Sequence, residues 1–348
     1  MTLELLHAVV DGSVLTEQQA EAAMQSLLAG QSTPVLTAAF LTALRVRGET
    51  IPELTGFARA MRAVAAPLPL TDDCRPILDT CGTGGNPTAG FNISTISAFV
   101  AAGAGVRIAK HGNRSITSRS GSADLLEALG VHTAVTPEIV VKSIREAGIG
   151  FLFAPTFHSA VRHVQPIRLE LKFRTAFNFL GPLTNPARAE MQVAGTWSDA
   201  GAEKIAGVLA RLGLRRGFVV HGSDGLGEVT TTGPSTVYFV TPGHVEHLQV
   251  TPEDFGFSTN AAGDIRGGDI AFNRTLAEAI LAGEGAGESS GDLRPRREIV
   301  LINSALAIVA AGLTTDFKEA AQRAAESIDS GAAARKLLQL RAVVSVPA

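Results

Sequence analysis

The chain has 348 residues, with 30 Lys+Arg against 33 Asp+Glu and a formal net charge of -3. A hydrophobic fraction of 45% with only 18% charged residues excludes disorder as a description of the whole, and the lack of a basic excess argues against a nucleic-acid partner. Affinity for phosphate must therefore be local, which makes the placement of 36 glycines the informative question. Cys74 and Cys81 are too few for a disulfide scaffold and lack metal-ligand spacing. The opening MTLELLHAVVDGS carries no basic leader, and the runs ISAFVAAGAGV and IVLINSALAIVAAGL fall short of the roughly 18 to 20 residues of a membrane span. A cytoplasmic protein without a membrane segment is expected.

Residues 1–70 read as a small helical domain. Thr16 and Gln19 make a capping-box pattern ahead of Ala20, Ala23, Met24, Leu27 and Leu28 at helical spacing, with Gly30 as the stop. Thr33 and Pro34 open a second helix that turns Leu36, Phe40 and Leu44 inward and ends before Gly48. The third runs from about Pro52 through Leu54, Phe57, Ala58 and Met61 and stops before Pro67 and Pro69. Three short helices cannot bury three apolar faces alone, so they are expected to pack on one another and on a later helix or a second subunit.

Residues 71–348 change pattern. Apolar runs at Ile77 to Asp79, Val106 to Ala109 and Gly150 to Ala154 alternate with helical stretches at Asn92 to Gly103, Ala123 to Leu129 and after Pro137. That alternation predicts an α/β domain with a mainly parallel central sheet and helices on both faces, whose ligands sit at the carboxyl ends of the strands. His158 to Arg174 reads as a helix, FNFLGPLTNPA as a turn-rich loop, and Gly217 to Val220 as a buried strand ending at HGSDGLGEVT. STVYFV and HVEHLQV are expected to pair antiparallel around TPGH; helices resume from Asp269, and GEGAGESSGDLRP reads as a mobile loop.

Two strand-end segments carry the chemistry. DTCGTGGNPTAGFNIST, Asp79 to Thr95, brings glycines that let backbone wrap an anion, then a helix start with free N–H groups. The bland alternative is a glycine-rich turn with Ser94 and Thr95 as ordinary caps. KHGNRSITSRSGSADLLEALG, Lys110 to Gly130, gathers Lys110, His111, Asn113, Arg114, Ser115, Thr117, Ser118, Arg119, Ser120 and Ser122, a donor mix suited to a multiply charged phosphate ester.

These segments, with FLFAPTFHSAVRHVQPIRLELKFRTAFNFLGPLTNPA and VVHGSDGLGEVTTTGPST, closely resemble the anthranilate phosphoribosyltransferases of the nucleoside phosphorylase-like class, in order and spacing over nearly the whole chain. The resemblance implies transfer of the phosphoribosyl group of 5-phosphoribosyl 1-pyrophosphate (PRPP) to the amine of anthranilate in tryptophan biosynthesis. It also implies Mg²⁺, two ions per subunit with substrate bound, and a homodimer formed through a helical domain that helices around 158–185 complete. By motif position Gly82, Gly85, Asn86, Gly90, Asn92, Ile93, Ser94 and Thr95 are expected to hold PRPP. So are Lys110, His111, Gly112, Asn113, Arg114, Ser115, Ile116, Thr117, Ser118 and Ser122. Gly82, Asn113 and Arg168 match anthranilate positions, and Ser94 and Glu228 match metal positions.

No residue is assigned as acid or base, and His111 and His158 stay open between pocket and core. Arg168 alone could also be a surface arginine paired with Glu170. Three departures from the family pattern stand out: Asn86 replaces the Asp after GTGG, Gly90 replaces a Thr, and Gly227 occupies the Asp of a paired Asp-Glu metal motif. Glu228 and Asp224 are left to complete a magnesium shell with phosphate and water. The alternatives are a pyrimidine nucleoside phosphorylase-like enzyme and a metal-impaired nucleic-acid-binding or regulatory relative.

Overall fold

Four helices open the computed structural model, which describes residues 3–84, 91–115, 120–286 and 293–345. They are α1 (Leu3–Val10), α2 (Glu17–Leu28), α3 (Pro34–Arg47) and α4 (Ile51–Val64). Thr16 and Gln19 form the expected capping box, Thr33 caps α3, and Thr50 with Glu53 builds a second box on α4. Glu53 is fully buried yet satisfied, because it accepts from the N–H groups of Leu15 and Thr50 and pairs with Arg47. Helices α2 and α4 cross closely at Gly56, where a Cβ would lie 2.3 Å from the Glu17 carbonyl oxygen. Gly56→Ala is therefore expected to destabilise the fold by about 3 kcal/mol. Thermal unfolding checks this, with turnover per folded molecule unchanged.

The sheet has seven strands: β1 (Leu78–Gly82), β2 (Ile108–Gly112), β3 (Ile149–Phe153), β4 (Met191–Gly195), β5 (Arg216–Gly222), β6 (Ser235–Thr241) and β7 (His244–Val250). Their order is β3-β2-β1-β4-β5-β6-β7. The first five are parallel, and β6 and β7 are antiparallel, as the hairpin around TPGH predicts. Chain order reverses between β1 and β4, so their carboxyl ends flank the crevice where open α/β sheets place ligands.

The remaining helices are α5 (Ile93–Gly103), α6 (Ser122–Ala128), α7 (Pro137–Ala147), α8 (Ala154–Phe157), α9 (Gln165–Leu171), α10 (Phe177–Leu183), α11 (Asp199–Arg211), α12 (Ile270–Leu281), α13 (Leu293–Ala310), α14 (Phe317–Asp329) and α15 (Ala332–Val344). Strand alternation splits the interior into two cores. Phe218 and Val220 join α5, α13, α14 and α15 on one face, whereas Val219 between them joins α10, α11 and the four opening helices on the other. The helical domain thus shares its core with one face of the sheet. Among the described residues, no helix is long and apolar enough to cross a membrane.

The α/β class with an N-terminal helical domain is as expected, but several local readings need correction. Residues 158–174 do not form one helix; a 3₁₀ turn (Ser159–His163) and α9 share them, with Lys172 left-handed at the end. FNFLGPL is the helix α10 rather than a loop, despite Pro182 inside it, because Phe177, Phe179, Leu180 and Leu183 are all buried. The Pro182 carbonyl is taken up by Gln192 Nε2 at 2.6 Å. Helix α1, strand β4 and helix α11 have no counterpart in the sequence reading. Part of GEGAGESSGDLRP, 287–292, lies outside the described residues, and Leu293 already begins α13.

Candidate active site

The carboxyl edge of the sheet is built from glycine. Gly82 ends β1 exposed, and its register partner Gly195 ends β4. A Cβ on Gly195 would lie 1.5 Å from the Gly227 carbonyl oxygen, so the β5–β6 loop reaches the crevice only because position 195 has no side chain. Thr83 N–H donates to the Gly195 carbonyl at 2.9 Å, closing β1 onto β4.

Beneath this edge lies a buried charged layer. Lys110 on β2 is 2% exposed; its Nζ donates to the Thr80 carbonyl and reaches Ser94 Oγ at the start of α5 at 3.4 Å. Burial pulls the Lys110 pKa down, while the charges of Asp79, Cys81 and Glu228 push it back up. Asp79 on β1 is fully buried, and burial raises its pKa against the hydrogen bond from the His111 N–H at 3.0 Å and the charge of Lys110. Sequence reasoning missed Asp79 as a site-building residue. Its position on an apolar strand two residues before CGTGG was the available signal.

Helix α10 joins this edge to a second polar group. His111 Nδ1 sits 3.1 Å from the Gly181 carbonyl, and the rings of His111 and His158 meet edge-on with centroids 5.1 Å apart. At the other end of α10, Arg168 stands over the Phe177 ring at 5.0 Å and donates to Gln165 Oε1 at 3.1 Å. Among the described residues no carboxylate pairs with Arg168, so the Glu170 pairing is not what the structure holds. Burial lowers its pKa to about 10, which leaves it fully charged at neutral pH. A half-buried guanidinium without an anion, beside an aromatic ring, is suited to an aromatic carboxylate.

Both histidines are core residues in this arrangement. Burial depresses His111 to about 3, with His158 and Lys110 adding repulsion, and depresses His158 to about 4. Each is neutral when folded and titrates near 6.5 when unfolded. Their contribution to stability is present above about pH 6.5 and is lost as pH falls toward 4 and 3, because the unfolded chain binds protons first. The thermal midpoint should fall between pH 6.5 and 4.5, and His158→Gln should flatten that slope; an unchanged slope would contradict the assignment.

The other expected residues divide by where their side chains go. Ile93 and Thr95 point into the core, and the free N–H groups expected of them at the α5 start are taken up by the carbonyls of Phe91 and Asn92 at 2.7 and 3.0 Å, which leaves the dipole of the helix end facing the crevice. Asn92 Nδ2 donates to the carbonyls of Ser120 and Gly121 at 3.2 and 3.1 Å, and its Oδ1 accepts from Ser120 Oγ at 2.8 Å, tying the two strand-end segments together. Arg114 pairs with Glu127 at 2.6 Å and Asp124 at 3.5 Å. Asn113 is exposed, its Oδ1 accepting from the Arg114 N–H. Asp124 accepts from the N–H groups of Ser115 and Gly121, and Ser122 Oγ packs over Gly112 while donating to the Asn113 carbonyl at 3.3 Å. Helix α6 is thus capped by Gly121 with Asp124. Gly85, Asn86, Gly90, Ile116, Thr117, Ser118 and Arg119 lie outside the described residues.

In the β5–β6 loop Glu228 is half-buried between buried Gly227 and Val229. The Asp224 carboxylate in the same loop accepts from the Leu226 N–H at 3.1 Å and from the hydroxyls of Thr230 and Thr232 at 2.5 and 2.9 Å. Among the described residues no group of three or more His, Cys, Asp or Glu could hold a metal unaided. Ser94 and Glu228 carry the oxygen donors that a magnesium ion takes when phosphate and water complete its shell.

A glycine-edged sheet crevice over buried charge, preceded by a helical bundle, is matched by two family models. The glycosyl transferase family helical bundle domain matches residues 3–65, and the glycosyl transferase family a/b domain matches residues 74–334. Anthranilate phosphoribosyltransferase from Solibacter usitatus is 52% identical over 335 residues, covering 96% of both chains. The crystal structure of anthranilate phosphoribosyltransferase from Thermus thermophilus superposes with a TM-score of 0.89 at 43% identity, over 98% of this chain and 99% of that one. The Saccharomyces cerevisiae enzyme in complex with PRPP and Mg gives 0.87 at 29% identity, over 98% and 97%. The chain belongs to this glycosyl transferase family and, within it, to the anthranilate phosphoribosyltransferases.

Proposed function

We propose that the protein transfers the phosphoribosyl group of PRPP to the amine of anthranilate, giving N-(5-phosphoribosyl)anthranilate and pyrophosphate. The carrying observation is Arg168, a guanidinium without an ion-pair partner among the described residues, linked through α10 to the phosphate-suited edge at Gly82, Lys110 and the α5 start. Arg168 grips the carboxylate and so aims the amine at C1 of the ribose. An aromatic amine is a weak nucleophile, so alignment supplies much of the rate. The amine nitrogen bonds to C1 as the C1–O bond to pyrophosphate breaks; the electron pair leaves with pyrophosphate and the nitrogen releases a proton to water. Negative charge collecting on the leaving group meets the positive end of the α5 dipole and the field of Lys110. Neither His111 nor His158 serves as a base.

The complex of the yeast relative with PRPP and Mg supports Mg²⁺ use here; to this we add, as our own assignment, Ser94 and Glu228 as its protein ligands and two ions per subunit. Bound magnesium neutralises the pyrophosphate as it departs. Gly227→Asp is expected to lower the Mg²⁺ concentration needed for half-maximal rate, and an unmoved titration would remove position 227 from the metal site. Exposed Val35 and Val46 on α3, with Leu169 on α9, support a homodimer through the helical domain. We place the enzyme in the cytoplasm. Mixing protein, PRPP, anthranilate and Mg²⁺ should quench anthranilate fluorescence; no turnover across a wide Mg²⁺ range would overturn the reading.

A further inference from the structure

Helix α13 is buried over most of its length, with every residue from Arg297 to Ala310 out of solvent, yet it carries an asparagine in its middle. Asn303 is 5% exposed and spends its whole amide on backbone. Its Oδ1 accepts from the Val229 N–H at 3.0 Å, and its Nδ2 donates to the Val229 carbonyl at 2.9 Å and to the Ile299 carbonyl at 2.8 Å. The pattern fixes the amide orientation, since a flip would set donor against donor and acceptor against acceptor. Val229 itself is fully buried, and both its polar groups point to one side chain rather than to a strand neighbour. An asparagine inside a helix gives up helix propensity, and here it makes the two contacts a neighbouring strand would have made.

Val229 follows Glu228 directly, and on the other side the Gly227 carbonyl is wedged against Gly195. Glu228 is thus the half-exposed residue between two fixed peptide units, and its carboxylate acts on Lys110. We propose that Asn303 is a positioning residue for Glu228: by clamping the Val229 peptide from within the core, it fixes the direction in which the Glu228 carboxylate meets the metal–pyrophosphate group. This rests on Glu228 being a metal ligand, and in this chain the demand on its placement is greater because Gly227 brings no second carboxylate.

The test measures the Mg²⁺ concentration needed for half-maximal binding of PRPP by calorimetry, without turnover, in the full-length protein. Glu228→Gln should raise that midpoint. Asn303→Ser, which loses both contacts to Val229, should raise it about three- to tenfold, the size of one or two buried hydrogen bonds. In the Glu228→Gln background Asn303→Ser should change it less than twofold, because a residue acting through another adds nothing once that other is gone. Asn303→Asp keeps the volume and the bond from the Val229 N–H and, as the neutral acid, can donate to one of the two carbonyls, so it provides a second variant and should fall in between. Additive shifts in the double variant, or an unmoved midpoint in both Asn303 variants while Glu228→Gln shifts it, would overturn the positioning role. If Glu228→Gln itself leaves the midpoint alone, the metal role of Glu228 is wrong and the inference falls with it, a result distinguishable from the other two.

Discussion

Arg168→Ala is expected to raise the KM for anthranilate about a hundredfold while leaving the KM for PRPP within about twofold. The size follows from losing a charge-assisted, two-pronged contact, worth up to about 3 kcal/mol, where each 1.4 kcal/mol is a factor of ten. Among the described residues the side-chain partners of the Arg168 guanidinium are Gln165 and the Phe177 ring, neither of which is an anion. Arg168→Lys should recover only part of the loss, because a point charge lacks the planar fork. An aniline without the carboxylate separates contact from folding: it should react equally poorly with the wild type and with Arg168→Ala. A rise in the KM for PRPP instead would move Arg168 to the phosphate side and undo the assignment.

Lys110→Met should lower kcat/KM for PRPP by about two to three orders of magnitude, the loss seen when a donor facing developing charge is removed. It should also destabilise the fold, because Asp79 keeps its buried carboxylate without the neighbouring ammonium. The two effects come apart in Lys110→Met/Asp79→Asn, which keeps an acceptor for the His111 N–H but removes the stranded charge. That double variant is expected to regain thermal stability and not activity. Recovery of both would show that Lys110 serves the fold alone.

The two phosphate-suited segments were legible because their chemistry is local. Glycines at strand ends and the donors of Lys110 to Ser122 are contiguous in sequence, and the α/β alternation around them survives without neighbours. Helix α10 was not legible: Gly181 and Pro182 signal a turn, and only burial of four apolar side chains and the capture of the Pro182 carbonyl by Gln192 make it helical. Strand β4 and helix α11 escaped because MQVAG is short and α11 is half alanine and glycine at its start, so neither period stands out.

By itself the sequence determined the class of fold, the helical opening with its capped ends, and the strand-end chemistry, since those follow from propensities and spacings within a few residues. Which residues meet was decided only by the tertiary structure. Strand order brought Gly195 against Gly227, Lys110 over Asp79 and Ser94, and Asn303 onto Val229, pairs separated by many residues and by no shared pattern. It also turned Ile93 and Thr95 inward and tied Arg114 to Glu127, outcomes set by which face of an element the core claims rather than by any residue's own chemistry.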